Sequence, residues 1–255
     1  MQIRPSGHVV LLTDFGHRDP YVGILRGAVL RANPRATIVD LGHEVPAQDV
    51  EAGAFWLWSA VDRFVPGSVF VAVVDPGVGT PRRLLAAQAH GCYWVAPDNG
   101  LLTHVLAGDD SADVRLLDPE HLQLVPASRT FHGRDVLAPV GGWLSGGRYG
   151  FSALGERLPD PVRLPEMTAG SHRVVHVDAF GNLITNLPAA TAGNFAAIAV
   201  AGRQVAVHGT YGEVPDGEML ALVGSFGFWE IARNGGSAAK LLGVGRGAPI
   251  TLVQA

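Results

Sequence analysis

His8-Val-Val-Leu-Leu-Thr-Asp-Phe-Gly16, followed by Tyr21-Val-Gly-Ile-Leu-Arg-Gly-Ala-Val-Leu-Arg-Ala32, settles the architecture of this chain. An apolar run with no polar alternation is the mark of a strand buried on both faces. The segment after it spaces apolar residues three and four apart, which is helical spacing. The same rhythm returns. Thr37 to Val39 with its flanks, Ser68 to Val74 and Cys92 to Ala96 read as further strands, and Asp49 to Val61 reads as a second helix. Strand and helix alternating in this way predict an α/β domain, Rossmann-like and three-layered, with a mostly parallel sheet. Prolines cluster at Leu158-Pro-Asp-Pro161 and Leu164-Pro165, and from Arg173 onward short strands are divided by Gly, Asn and Asp turns. We therefore expect an N-terminal α/β domain over residues 1–165 and a smaller all-β domain over 170–255. Within the latter, Ser237 is placed to cap a brief helical turn ended by Gly243.

Composition narrows the function. The chain has 255 residues, enough for a large core, and 47% are hydrophobic, which excludes a disordered protein. Charged residues are only 16% and the net charge is -4, so no basic field exists to gather nucleic-acid phosphates. The single cysteine, Cys92, has no internal disulfide partner and sits in an apolar stretch, the setting of a buried, inert thiol. Neither a signal-like start nor a membrane-length apolar run is present, so the expected location is the cytoplasm, with no membrane partner.

In an open parallel sheet, ligands gather beyond the carboxyl ends of the strands. Asp14, Asp40, Asp75 and Asp98 all fall at such ends, where a lone aspartate usually caps a turn but four together suggest an acidic crevice. Asp75 opens the loop Asp75-Pro-Gly-Val-Gly-Thr-Pro-Arg-Arg83, which lacks both the third glycine of a dinucleotide fingerprint and the Gly-Lys-Ser/Thr ending of a P-loop. Arg82 or Arg83 can fold back on Asp75 and keep it ionised; a solvated loop edge is the ordinary reading of either arginine and the preferred one for Arg83. Thr130-Phe-His-Gly-Arg-Asp135 precedes an apolar helix over Val136 to Leu144. The helix start accounts for Asp135 but not for His132, the side chain suited to moving protons near neutral pH. In the second domain, Asp178-Ala-Phe-Gly-Asn-Leu-Ile-Thr-Asn186 and Gly224-Ser-Phe-Gly-Phe-Trp229 mix polar and aromatic residues on glycine turns, a composition able to stack a flat ring.

Taken in order, Leu11-Leu-Thr-Asp-Phe-Gly16, Val74-Asp-Pro-Gly-Val-Gly-Thr80, Ala96-Pro-Asp-Asn-Gly-Leu-Leu-Thr103, Thr130-Phe-His-Gly-Arg-Asp135, Phe180-Gly-Asn-Leu-Ile-Thr-Asn186 and Asn234-Gly-Gly-Ser237 make the chain resemble the adenosine-forming S-adenosyl-L-methionine hydrolases. These are relatives of the S-adenosylmethionine-dependent fluorinase and chlorinase. The resemblance implies a C-terminal β-barrel, a homotrimer with active sites at subunit interfaces, and no cofactor, S-adenosylmethionine being the substrate. It implies hydrolysis to adenosine and methionine by in-line attack of an activated water on ribose C5′.

By the same resemblance Asp75, Arg82 and His132 activate the water. Asp14 grips the ribose hydroxyls and Asp19 lies near the methionine amino end. Asp178, Asn182 and Ser225 contact the methionine moiety, with Phe180, Arg233 and Asn234 near that moiety or the adenine. The halogenases carry Tyr in place of Asp75 and Ser in place of Gly133, so the chain follows the hydrolase pattern where the nucleophile is chosen; they also carry Arg in place of Phe226, a departure that bears on how the methionine carboxylate is held. If Arg82 holds Asp75, the paired carboxylate is a weak base and His132 becomes the better proton acceptor. Other readings are a metal-dependent hydrolase with Asp14, His43, Asp75 and His132 as ligands, a non-catalytic S-adenosylmethionine or adenosine-binding protein, and a halogenase.

Overall fold

The computed structural model describes residues 3–191 and 195–254, and the chain divides into two compact units, Met1–Leu164 and Pro165–Ala255. In the first unit, β1 (His8–Thr13) sends alternate side chains to opposite faces: Val9 and Leu11 enter one core, Val10 and Leu12 the other. The helix α1 (Tyr21–Ala32) lays Leu25 and Val29 on the first core. After β2 (Thr37–Gly42), α2 (Val50–Ser59) lays Ala52 and Leu57 on the second. The Asp49 side chain accepts the Ala52 N–H at 3.0 Å and so caps α2, which fixes the start of that helix.

The sheet continues through β3 (Val69–Val73), β4 (Leu84–Ala89), β5 (Cys92–Pro97) and, after the short helix α3 (Thr103–Ala107), β6 (Asp113–Leu117). Strand order is β2-β1-β3-β5-β4-β6, with β2, β1, β3 and β5 parallel and β4 antiparallel to both neighbours. Neither β4 nor β6 is foreseen by the strand reading. The alanine-rich sequence Leu84-Leu-Ala-Ala-Gln-Ala89 has little strand propensity of its own. Its pairing comes instead from the turn at His90 and Gly91, both with positive φ (51° and 67°), which folds it back on β5 as a tight hairpin. Cys92 is buried and burial pushes its thiol pKa up, consistent with an inert sulfur.

The helix expected over Val136 to Leu144 begins earlier and differently. One π turn over Gly133–Leu137 runs into α4 (Ala138–Ser145), whose Pro139 lies in its first turn, where no backbone N–H is needed.

The second unit is built from β7 (Val174–Val177), β8 (Leu183–Pro188), β9 (Phe195–Val200), β10 (Arg203–Ala206), β11 (Met219–Val223), β12 (Phe228–Arg233), the short helix α5 (Ala238–Leu242) and β13 (Ile250–Gln254). They form two antiparallel sheets, ordered β10-β9-β13 and β11-β12-β8-β7, around a core that includes Val174, Leu183, Ile198, Val205 and Ile231. Ser237 Oγ accepts the Lys240 N–H at 3.1 Å and caps α5, which Gly243 ends. Among the described residues no helix is long and apolar enough to cross a membrane.

One topological fact places the site. From β1 the chain crosses to β2 on one side, and from β2 it returns past β1 to β3 on the other. The two connecting helices therefore lie on opposite faces, α1 on the first core and α2 on the second. A crevice opens between them beyond the ends of β1 and β3. The register Thr13↔Val73 sets Asp14 and Asp75 beside this opening.

Candidate active site

A hollow of about 450 Å³ occupies that position, lined by Asp14, Phe15, Tyr21, Asp75, Phe131 and His132 among others. Asp75 follows β3, and its loop turns back at once: Val78 N–H bonds to the Asp75 carbonyl at 3.2 Å and Thr80 N–H to that of Gly77 at 3.1 Å. This reversal brings Arg82 onto Asp75. Arg82 Nε donates to Asp75 Oδ1 at 2.6 Å and Nη2 donates to Oδ2, the two-pronged geometry for which a guanidinium is suited. Both side chains are nearly buried, 9% and 5% exposed, so the pair is held in a poorly solvated setting.

The third arm of Arg82 reaches the other loop: Nη1 lies 3.1 Å from His132 Nδ1. A guanidinium only donates, so Nδ1 accepts, and the neutral ring carries its proton on Nε2. Burial, and then the Arg82 charge, hold the His132 pKa below its ordinary 6.5, against the smaller opposing pull of Asp75 and Asp135. His132 sits at the entry to the π turn. At Gly133 a Cβ would stand 3.0 Å from Val73 Cγ1, so the π turn packs closely on the β3 strand and a larger residue there requires Val73 to shift by a few tenths of an ångström. Arg134 and Asp135 pair with each other, Arg134 lies 4.8 Å over the Phe131 ring, and Asp135 also accepts the Ser128 N–H at 3.1 Å. Phe15, Tyr21 and Phe131 meet edge to face with centroids 5.6 to 5.9 Å apart.

The expected crevice of four aspartates resolves into two. Asp14 and Asp75 line the hollow, with Asp14 Oδ2 accepting the Gln48 N–H at 2.7 Å. Asp40 is paired with Arg26 and lies 3.0 Å from His43 Nε2. Asp98 is buried, bound by Arg83 Nε at 2.7 Å and by the Val162 N–H at 2.8 Å. Arg83 is thus no solvated loop edge: it braces Asp98 and also Asp160 at 2.9 Å. Both carboxylates are consumed by structural ties that the strand-end position does not reveal. Asp19 is exposed in the turn before α1 and does not line the hollow. Among the described residues no three His, Cys, Asp or Glu side chains gather to hold a metal ion, and His43 is turned into the protein interior, fully buried.

In the second unit, a separate hollow of about 530 Å³ is lined by Phe180, Asn182, Tyr211, Arg233, Gly235, Gly236 and Ser237. Phe180 is 79% exposed, an uncommon position for an aromatic ring and one that leaves its face open for stacking. Asp178 does not line this hollow but builds it: Oδ1 accepts the N–H groups of Phe180 and Asn182 at 3.0 and 2.8 Å, and Oδ2 accepts Asn182 Nδ2 at 3.0 Å. Asn182 Nδ2 also donates to the Tyr211 hydroxyl at 3.1 Å, and that hydroxyl donates to Glu230 at 2.6 Å. Asn234 bonds the Val214 carbonyl at 2.9 Å, a structural tie, and Ser225 is exposed on the turn between β11 and β12.

Sequence reading does not single out Tyr21, Gln48, Tyr211 or Glu230. Tyr21 carries a signal in retrospect, since it opens the helix that follows the Asp14 turn. Tyr211 and Glu230 carry none: Glu230 is brought near Asn182 by the pairing of β12 with β8, and Tyr211 by a short helical turn over Tyr211–Glu213 between β10 and β11.

Models of the SAM hydroxide adenosyltransferase N-terminal and C-terminal domains match residues 9–155 and 172–251. A Thermus thermophilus protein named (R)-S-adenosyl-L-methionine hydrolase is 41% identical over 96% of this chain and 99% of its own length. A Salinispora arenicola protein of the same name is 39% identical, covering 91% of this chain and 92% of its own length. A fluorinase of an Actinoplanes species is more distant, at 28% over 70% of this chain and 71% of its own. The crystal structure of an uncharacterised conserved protein from Thermotoga maritima superposes with a TM-score of 0.88 at 34% identity, covering 96% of this chain and all of that one.

Proposed function

This chain belongs to the SAM hydroxide adenosyltransferase family, and from that premise we propose that its first hollow holds a water in line behind C5′ of S-adenosylmethionine. The chain is an enzyme that hydrolyses S-adenosyl-L-methionine to adenosine and methionine. Sulfonium departure gives a neutral thioether, so the barrier lies with the nucleophile: free water, with a pKa of roughly 15.7, attacks poorly. Asp75, Arg82 and His132 supply the activation, and the single observation that carries this reading is the Arg82 guanidinium joined at once to Asp75 and His132.

With Nδ1 occupied by Arg82, the His132 ring presents Nε2–H, a donor that orients the water oxygen. The acceptor expected from sequence, His132, keeps no free basic nitrogen once Nδ1 accepts from Arg82 and Nε2 carries the proton, so the role falls to Asp75. Its pairing makes it a weaker base, but it keeps lone pairs beyond the two taken by Arg82 and accepts the proton as the C5′–O bond forms. The C5′–S bond breaks with its electron pair going to sulfur, and the proton passes on to solvent. A hydroxide-like nucleophile meeting a sulfonium annihilates charge, which a poorly solvated hollow favours. The cluster of Phe15, Tyr21 and Phe131 offers ring faces suited to a cationic sulfur. Asp14 takes the ribose hydroxyls and Asp19 the methionine amino end. Asp178, Asn182, Ser225, Phe180, Arg233 and Asn234 serve the methionine or adenine end from the second domain, a β-barrel in this reading. The enzyme works in the cytoplasm as a homotrimer with sites at subunit interfaces, and by the relatives' name it consumes the (R) epimer at sulfur.

Incubation with S-adenosylmethionine in ¹⁸O-water tests the reaction. Label is expected in adenosine. S-adenosylhomocysteine or methylthioadenosine as product would mean that a different bond is cut, and unlabelled adenosine would exclude attack by water at C5′.

A further inference from the structure

His43 is a buried imidazole that the reaction does not touch. Its side chain is fully buried, as is Thr13, the last residue of β1. Their contact is direct: Thr13 Oγ1 lies 2.8 Å from His43 Nδ1. Nε2, on the far side of the ring, stands 3.0 Å from Asp40 Oδ1, off the line of a hydrogen bond, so the attraction there is chiefly electrostatic. Asp40 is in turn paired with Arg26. Of the two tautomers, the one with its proton on Nε2 sets that proton toward the Asp40 carboxylate. Nδ1 is then an acceptor, the Thr13 hydroxyl donates to it, and the Thr13 oxygen accepts the Phe15 N–H at 3.2 Å. The His43 backbone adds a second tie, its carbonyl accepting the Gly16 N–H at 2.7 Å.

Every donor in this chain points one way, from the Phe15 amide through Thr13 to His43. Asp14 lies between the two anchored residues, Thr13 and Phe15. Its own carboxylate takes the Gln48 N–H at 2.7 Å, from a residue held at a φ of 64°. Left-handed backbone at a non-glycine residue persists only where the surroundings over-determine it. The turn that carries Asp14 is therefore clamped from beneath by His43 and from the side by Gln48.

We infer that His43 is a positioning residue: through Thr13 and the Phe15–Gly16 amides it fixes the turn that presents the Asp14 carboxylate to the ribose hydroxyls. The inference rests on the reading of Asp14 given above. It also accounts for a histidine that, from sequence, is a candidate metal ligand.

The test compares kcat/KM for S-adenosylmethionine with that for its 2′-deoxy analogue, in the wild type and in Asp14→Ala, Thr13→Val, Thr13→Ser and His43→Leu. The wild type is expected to prefer the parent substrate and Asp14→Ala to lose the preference. Thr13→Val and His43→Leu should each lower it by roughly tenfold, the scale of one hydrogen bond to a charged group, while Thr13→Ser restores it. If Asp14→Ala keeps the preference, or the wild type has none, the reading of Asp14 falls and this inference with it. If Asp14→Ala loses the preference but Thr13→Val and His43→Leu keep it, His43 only packs and the inference alone falls. Should His43→Leu fail to fold, Thr13→Val, which exchanges one hydroxyl for a methyl, decides.

Discussion

Arg82 donates through Nη1 to His132 Nδ1 at 3.1 Å while the same guanidinium clasps Asp75. One planar cation thus fixes both the orientation and the tautomer of the imidazole, and in the mechanism proposed above it leaves a donor and a carboxylate to share the water's two needs.

Asp75→Asn keeps the shape of the carboxylate but not its basicity. Turnover is expected to fall by about 10² to 10⁴, the worth of a positioned base, with substrate affinity little changed. His132→Ala should likewise cut turnover far more than binding. Single-turnover kinetics beside calorimetric binding separate the two effects, and wild-type turnover in both variants would remove these groups from the reaction.

Arg82→Ala leaves Asp75 buried without its partner, which costs about 3–5 kcal/mol of stability in comparable pairs. Arg82→Lys keeps the charge but cannot reach two carboxylate oxygens and Nδ1 together. It should fold with a smaller loss and still turn over slowly. Urea denaturation and steady-state rates would check both, and a fully active lysine variant would show that charge alone suffices.

The His132 ring is held below its ordinary pKa of 6.5, chiefly by burial and then by Arg82. Its neutral form, which alone can accept from Arg82, therefore persists to lower pH than in a free histidine. Activity should be full above 6.5 and be lost as pH falls through a midpoint under that value. The unfolded ring takes up its proton first, so this group also lowers stability as pH drops below 6.5. A kcat/KM profile with its acid limb at or above 6.5 would contradict the assignment.

Gly133→Ser tests the packing of the π turn on β3. A Cβ there stands 3.0 Å from Val73 Cγ1 and 3.3 Å from Cγ2, so the neighbour must move. A destabilisation of about 1–3 kcal/mol is expected, as for other overpacked sites, and Val73→Ala in the same chain should recover part of it. Thermal melts of the single and double variants give the comparison. Equal stability of Gly133→Ser and wild type would mean that the turn has room to spare.

Burial, and the nearby Asp178, hold the Glu230 carboxyl above its ordinary 4.5, with Tyr211 opposing the rise. The folded state keeps this proton longer than the unfolded one, so its stabilising effect is whole below 4.5 and declines as pH rises above that value. Glu230→Gln should flatten this part of the stability profile. Tyr211→Phe leaves the buried carboxyl short of a donor, at an expected loss of about 1–3 kcal/mol. Chemical denaturation across that pH window measures both, and an unchanged slope in Glu230→Gln would rule out Glu230 as its source.

Much of the fold could be read from local pattern. The strand His8–Thr13 and the helix Tyr21–Ala32 show their burial in residue spacing, because a two-residue and a 3.6-residue period leave distinct apolar marks. The strand Leu84–Ala89 left no such mark, since its partner and a two-residue turn decide it. The fate of the strand-end aspartates was equally invisible. Asp98 meets Arg83, and Asp40 meets Arg26, across separations that no local rule spans.

What the sequence by itself determined was the kind of protein: a mostly parallel α/β unit, an all-β unit, and the residues Asp14, Asp75, Arg82 and His132 in motif order. Local propensities and short motifs act over a few neighbours, and so they survive in the linear string. Only the tertiary structure decided which aspartates reach the hollow, which nitrogen of His132 is taken, and that His43 contacts Thr13 and the Gly16 amide on either side of Asp14. Those outcomes depend on which strand ends lie side by side and which charges are consumed in pairing, and long-range packing alone sets both.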